Sequence, residues 1–168
     1  MKKRTLLYGL LLIAILIKTV LSLLDSQDPA KLPDTQYASE INLIHIFEGE
    51  INRSGKPVGF HSRPFGVDPP NARVVKMMGK PNREGVYTAR VEIFDPQTKQ
   101  WKDKFSSFFP DKMDGAMVQR AIGHAYAKRH ANKKQPWQGP SGHGFDVQGY
   151  VDQKGRINTA FPVYKKDQ

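Results

Sequence analysis

At 168 residues, with 39% hydrophobic and 25% charged residues, the chain has the composition of one folded domain with accessories, which excludes disorder as its overall state. A formal net charge of +10 points to an anionic partner, either nucleic acid or an anionic membrane surface. The lack of any cysteine excludes disulfides, thiolate zinc sites and cysteine nucleophiles.

In chain order, the cations Lys2, Lys3 and Arg4 precede an apolar run from Thr5 to Ile17, which continues past Lys18 to Leu24. A basic start before such a run is the layout of a secretory signal or signal anchor, and the full stretch is about long enough to span a bilayer. Residues 1–24 are therefore expected to be a signal peptide or a membrane helix, contacting the membrane through residues 5–24. Positive-inside logic leaves the rest of the chain outside the cytoplasm. That places the protein at an inner, cytoplasm-bounding membrane facing the extracytoplasmic side, or makes it secreted if the signal is cleaved. Residues 25–38, polar and twice interrupted by proline, read as a tether, so the folded domain spans residues 39–168.

Ser39 to Phe47 reads as a short helix capped by Ser39. Residues 72–78 read as a short strand. Gly85 to Phe94 alternates Tyr87, Ala89, Val91 and Ile93 against Val86, Thr88, Arg90, Glu92 and Phe94. The polar turn 95–100 joins it to a second strand over 101–109, so the two form a hairpin. Met117, Val118, Ala121, Ile122, Ala125 and Tyr126 recur at helical spacing between Gly115 and His130. Residues 131–143, rich in lysine, glycine and proline, read as a loop, and strands over 144–151 and 156–161 close the chain through a turn at 152–155. Trp101 and Tyr126 are expected in the core. The sum is an α+β domain: a short helical part packed on a mostly antiparallel β-sheet, behind an N-terminal membrane helix.

No Gly-x-Ser-x-Gly elbow, phosphate-binding loop, dinucleotide fingerprint or His-Glu-x-x-His motif is present, so the available chemistry is that of histidine. Two of the five histidines, His45 and His61, flank a segment broken by Gly49, Gly55, Pro57 and Gly59. No continuous helix joins them, so the segment turns back and leaves the imidazoles either close together or unrelated. Together they would supply a base and an acid at neutral pH, which is what RNA cleavage by its own 2′-hydroxyl needs, along with a cation for the crowded phosphate. His124 and His130 lie on the polar side of the middle helix and read as solvated. His143 sits in a Ser-Gly-His-Gly loop from which it could approach a substrate. Lys133 and Lys134 would track an RNA backbone or be solvated. Arg63 reads equally as a phosphate contact or a surface arginine.

Four segments narrow these alternatives: His45-Ile-Phe-Glu-Gly-Glu-Ile-Asn52, Gly59-Phe-His-Ser62, Phe105-Ser-Ser-Phe-Phe-Pro110 ahead of a helix, and Gly155-Arg-Ile-Asn-Thr-Ala-Phe-Pro162. In this order the chain after the tether resembles the bacterial EndoU nuclease domain. The resemblance implies a barnase/EndoU/RelE-like α+β fold. It also implies endoribonuclease activity on single-stranded RNA near uridine, leaving 2′,3′-cyclic phosphate and 5′-hydroxyl ends. It assigns catalytic roles to His45, His61 and a lysine before the Ser-Ser-Phe-Phe-Pro motif, for which Lys104 is chosen with Lys102 as reserve, since both share one strand face. Thr159 and Phe161 are implied in substrate binding, with Ser62 and Arg63 beside them. Phe161 stands where many members carry tyrosine, so stacking survives but a phenolic hydrogen bond does not. The resemblance implies no metal or other cofactor, RNA as partner, and an immunity protein if the role is that of a toxin rather than RNA scavenging. The competing readings are a non-catalytic RNA- or envelope-binding module on the same fold and, behind it, a histidine-ligated metal hydrolase.

Overall fold

The computed structural model describes residues 41–130 and 135–167, which fall in one compact unit covering 34–168. The expected membrane helix 1–24, the tether, the Ser39 cap, Lys133 and Lys134 lie outside the described residues. Among the described residues no helix is long and apolar enough to cross a membrane.

The chain opens with helix α1 (Leu43–Phe47), then β1 (Glu50–Ile51) and β2 (Pro57–Val58). A single turn at Pro64–Gly66 leads to β3 (Ala72–Met77), β4 (Tyr87–Asp95) and β5 (Gln100–Phe108). Helix α2 (Gly115–Ala127) then precedes β6 (Trp137–Pro140), β7 (Asp146–Val151) and β8 (Ile157–Pro162). The strands form three small antiparallel sheets, β1-β2, β3-β4-β5 and β6-β7-β8, rather than one sheet. The architecture is a small α+β domain with few helices.

The expected hairpin is β4-β5, in register from Tyr87↔Phe108 to Asp95↔Gln100. Tyr87, Ala89, Val91 and Ile93 are buried, as their alternation requires, and pack with Phe60, Ala72 and Phe108 in one core cluster. A second cluster gathers Val118, Ala121, Ile122 and Ala125 of α2 with Trp137, Val147, Ile157, Ala160, Ile46 and Phe109. The Asp114 side chain caps α2 by accepting from the Met117 N–H at 2.7 Å.

Three further expectations change. Helix α1 starts later than the Ser39 reading, because Ile41 bridges Ile157 and the Asn42 N–H donates to the Ile157 carbonyl at 2.9 Å, keeping the chain extended to that point. Asn42 is the cap, its side chain accepting from the His45 N–H at 3.3 Å. The segment read as a loop contains β6, in which Gly139 lies so close to α2 that a Cβ there would collide with the Ala125 carbonyl. The glycine read as a loop signal thus permits close helix–strand packing. Trp101 is not in the core: it is partly exposed on the outer sheet face, with the Arg73 guanidinium 4.2 Å from its ring centre.

Candidate active site

A short helix leaves its last carbonyls unpaired, and here that fact places the second histidine. The His45 carbonyl accepts from the Phe60 N–H at 2.8 Å, and the Ile46 carbonyl accepts from His61 and Ser62 at 2.7 and 3.1 Å. The chain returning through β1 and β2 therefore docks on the end of α1. Its approach requires glycine at position 59, where φ is +77° and a Cβ would collide with the His45 carbonyl and lie 2.9 Å from the His45 ring. On its other side, the His61 carbonyl accepts from the Phe109 N–H at 2.9 Å, pinning the histidine to the end of β5.

The two imidazoles are brought together, with ring centres 6.2 Å apart and planes inclined by 32°. That is too far for a direct hydrogen bond between them. Each ring is anchored through Nδ1. His45 Nδ1 lies 2.8 Å from Glu50 Oε1. His61 Nδ1 lies 3.0 Å from the Ser107 carbonyl and 3.1 Å from Ser106 Oγ. A carbonyl can only accept, so His61 carries its proton on Nδ1 when neutral and presents the Nε2 lone pair. The carboxylate selects the same tautomer at His45.

Lys104 completes the cluster from β5. Its Nζ donates to the Gly59 carbonyl at 2.8 Å and to Ser106 Oγ at 3.0 Å, and the buried Ser106 hydroxyl donates onward to the Phe60 carbonyl at 2.6 Å. Burial pulls the Lys104 ammonium down to about 8. His61 is held well below the ordinary imidazole value by burial first and by the Lys104 charge second, the Ser107 carbonyl opposing both. The ring is therefore neutral at physiological pH.

Strand β8 forms the remaining wall. The Phe161 ring centre is 5.4 Å from that of His61. Thr159 Oγ1 is buried with no hydrogen-bond partner among the described residues. Ser62 is buried beside His61 and its backbone is taken up by Ile46. Arg63 faces carboxylates: its guanidinium lies 3.2 Å from Asp68 and 3.6 Å from Asp111 and donates to the Gly66 carbonyl at 2.5 Å. Lys102, on the same face as Lys104, is engaged elsewhere, 2.6 Å from Asp95 Oδ2 and donating to the Gly55 carbonyl at 2.8 Å.

The other histidines stand apart from this pair. His124 Nδ1 is 2.9 Å from the Pro140 carbonyl, His130 is exposed, and His143 stacks on Phe145 with ring centres 6.5 Å apart. Two site residues went unread in the sequence. Glu50 stands inside the His45–Asn52 segment without a role of its own, although its position just past the short helix carrying His45 is the available signal. Ser106 was read only as part of a motif. Among the described residues no group of three or more histidine, aspartate or glutamate side chains could hold a metal ion.

The sequence model of the family described as bacterial EndoU nuclease matches residues 39–164, from just ahead of α1 to just past β8. The chain belongs to that family. Every element that builds the cluster lies within the matched EndoU segment. A Bacillus cereus protein described as a toxin is 30% identical over 134 residues, which cover 80% of this chain and 24% of that relative. This EndoU chain thus spans about a quarter of the curated relative it matches. No solved structure matches it significantly.

Proposed function

We propose that the domain is an endoribonuclease that cleaves single-stranded RNA by attack of the 2′-hydroxyl on the adjacent phosphate. His61 Nε2 removes the 2′ proton as the O2′–P bond forms. His45 Nε2 delivers a proton to O5′ as the P–O5′ bond breaks. The products are a 2′,3′-cyclic phosphate and a 5′-hydroxyl, and proton exchange with water resets both rings.

The observation that carries this reading is the pair itself: two imidazoles 6.2 Å apart, each anchored at Nδ1 and each left with Nε2 for a substrate. The roles follow from environment. His61, kept neutral by burial and Lys104, suits the base. His45, with Glu50 placed to balance an imidazolium, suits the acid. Lys104 has two of its three donors committed, leaving one for a phosphate oxygen as negative charge builds up. Thr159, with its unpaired hydroxyl, and Phe161, beside His61, take the nucleotide, uridine being the base the family resemblance favours. Ser62, buried beside His61, backs the same wall, and Arg63, balanced by Asp68 and Asp111, serves it by bracing the turn rather than by a free charge. The finer fold reading, barnase/EndoU/RelE-like, belongs to the same proposal.

The biological reading extends it. Residues 5–24 carry the domain to the extracytoplasmic side of the inner membrane or beyond it. The toxin description of the B. cereus relative favours a role in bacterial competition, with an immunity protein as partner. Incubation of the full chain with a defined uridine-containing RNA tests the chemistry. Cyclic-phosphate ends are expected, and they should vanish in His45→Ala and His61→Ala. No cleavage, or cleavage undiminished in both variants, would reject the nuclease and favour a binding module.

A further inference from the structure

Two phenylalanines near the histidine pair adopt the left-handed backbone region, Phe60 at φ 57° and Phe65 at φ 59°. Bulky residues avoid that region because the Cβ crowds the following carbonyl oxygen. At Phe60 the strain is offset: the ring is fully buried, meets Phe108 edge-on with centres 5.0 Å apart, and shapes the turn that delivers His61. At Phe65 the side chain contributes no such packing, for this residue is 74% exposed.

The turn around Phe65 is nevertheless firmly held. The Phe65 N–H donates to the Asp111 carbonyl at 2.7 Å and the Gly66 N–H to the Arg63 carbonyl at 2.9 Å. The largely buried Arg63 guanidinium is clamped between Asp68 and Asp111, and Asp111 also accepts from the Tyr87 hydroxyl at 2.6 Å. The fold thus holds a large ring in water, in a conformation the residue itself disfavours, on a turn pinned from behind. Backbone strain of this kind, held by the turn's own bonds while the ring gains nothing from the folded domain, points to a ligand.

We infer that Phe65 is a stacking platform for a nucleobase of single-stranded RNA next to the cleaved bond; this rests on the ribonuclease reading above. Its position fits. The chain from His61 to Phe65 runs beside 109–111, tied by the Phe109–His61 and Phe65–Asp111 backbone hydrogen bonds. The Phe65 backbone is at most roughly 14 Å along the chain from that of His61, a span of a nucleotide or two from the reacting phosphate. Charge decides what it binds there. With Arg63 balanced by two carboxylates, the turn offers no spare cation for a phosphate, while a bare aromatic face accepts any base. The remaining positive charge of the +10 chain is left to hold the backbone.

The test is the affinity of the full chain, in detergent, for a fluorescent 2′-O-methyl octaribonucleotide, which lacks the attacking hydroxyl and cannot be cleaved. Phe65→Ala is expected to weaken binding about tenfold or more, with no change in the slope of log affinity against log salt, because no phosphate contact is lost. Phe65→Trp should bind like the wild type. Phe65→Asn, which tolerates the left-handed region, should weaken binding equally while its thermal midpoint does not fall. Unchanged affinity in Phe65→Ala overturns the inference and leaves the exposed ring to a protein partner. Loss of affinity only in step with loss of folded protein overturns it as well. Cleavage of ordinary RNA by the wild type is scored separately, so failure of the nuclease reading and failure of this one are distinguishable.

Discussion

His45 Nδ1 lies 2.8 Å from Glu50 Oε1, and the carboxylate reaches it from β1, just past the short helix that carries the ring. The contact fixes the ring's tautomer and supplies a negative charge beside any proton it carries. Glu50→Ala should therefore lower kcat by a substantial part of the roughly 10²–10⁴ that a positioned proton donor contributes, with little change in KM. Glu50→Gln, which keeps a hydrogen-bond acceptor without the charge, should fall between. Steady-state cleavage of a short uridine-containing RNA decides it, and a Glu50→Ala enzyme with unchanged kcat would show that the anchor is dispensable.

Gly59 governs whether the two histidines meet at all. With φ at +77° and a Cβ that would strike the His45 carbonyl, alanine fits neither the backbone nor the space. Gly59→Ala should cost roughly 2 kcal/mol or more of stability. The residual activity per folded molecule should also drop, since the Phe60–His45 and His61–Ile46 hydrogen bonds are what set the histidine separation. Thermal unfolding combined with activity normalised to folded protein separates the two effects.

The β4-β5 hairpin and α2 were legible because their burial follows a strict period, alternate residues in one and helical spacing in the other. β6 was not, because Trp137-Gln-Gly-Pro140 has the composition of a turn and becomes a strand only through its pairing with β7 and its close packing on α2. The histidine pairing was legible only through the motif resemblance. Spacing alone allowed the segment between them to turn back in many ways, and the docking on α1 depends on carbonyls left free by a helix whose start the sequence misplaced. Glu50 escaped notice for a related reason: a lone glutamate after a glycine looks solvated until its partner is placed beside it.

Two groups of the proposed mechanism bear on its pH dependence through their surroundings. His61 acts as a neutral base and is held well below the usual imidazole range, so cleavage should persist below pH 6.5. Lys104 must be charged, and its ammonium titrates at about 8, so the rate should fall as pH rises past that value. The same His61 shift links to stability. Below about pH 6.5 the unfolded chain takes up a proton that the folded ring refuses, so stability declines as pH falls through that region. A pH–rate profile with Lys104→Arg checks the alkaline limb. Arginine stays charged throughout, so the part of the alkaline fall that belongs to position 104 should vanish in this variant.

Lys102 and Lys104 project from the same face of β5, and only their neighbours distinguish them. Lys104 faces the Gly59 carbonyl, Ser106 and His61. Lys102 closes on the buried Asp95 carboxylate, and that hydrogen bond holds the carboxyl well below its ordinary range. Lys104→Ala should therefore lower kcat by about 10²–10³, the effect of removing one group that stabilises developing charge, while its thermal midpoint stays level or rises, since a desolvated ammonium is gone. Lys102→Ala should do the reverse. It leaves Asp95 without its cation and lowers the thermal midpoint, but kcat per folded molecule should change little, because the ammonium does not reach the histidines. Parallel unfolding and cleavage measurements on the two variants test the assignment, and a larger kcat loss in Lys102→Ala would move the catalytic role to Lys102.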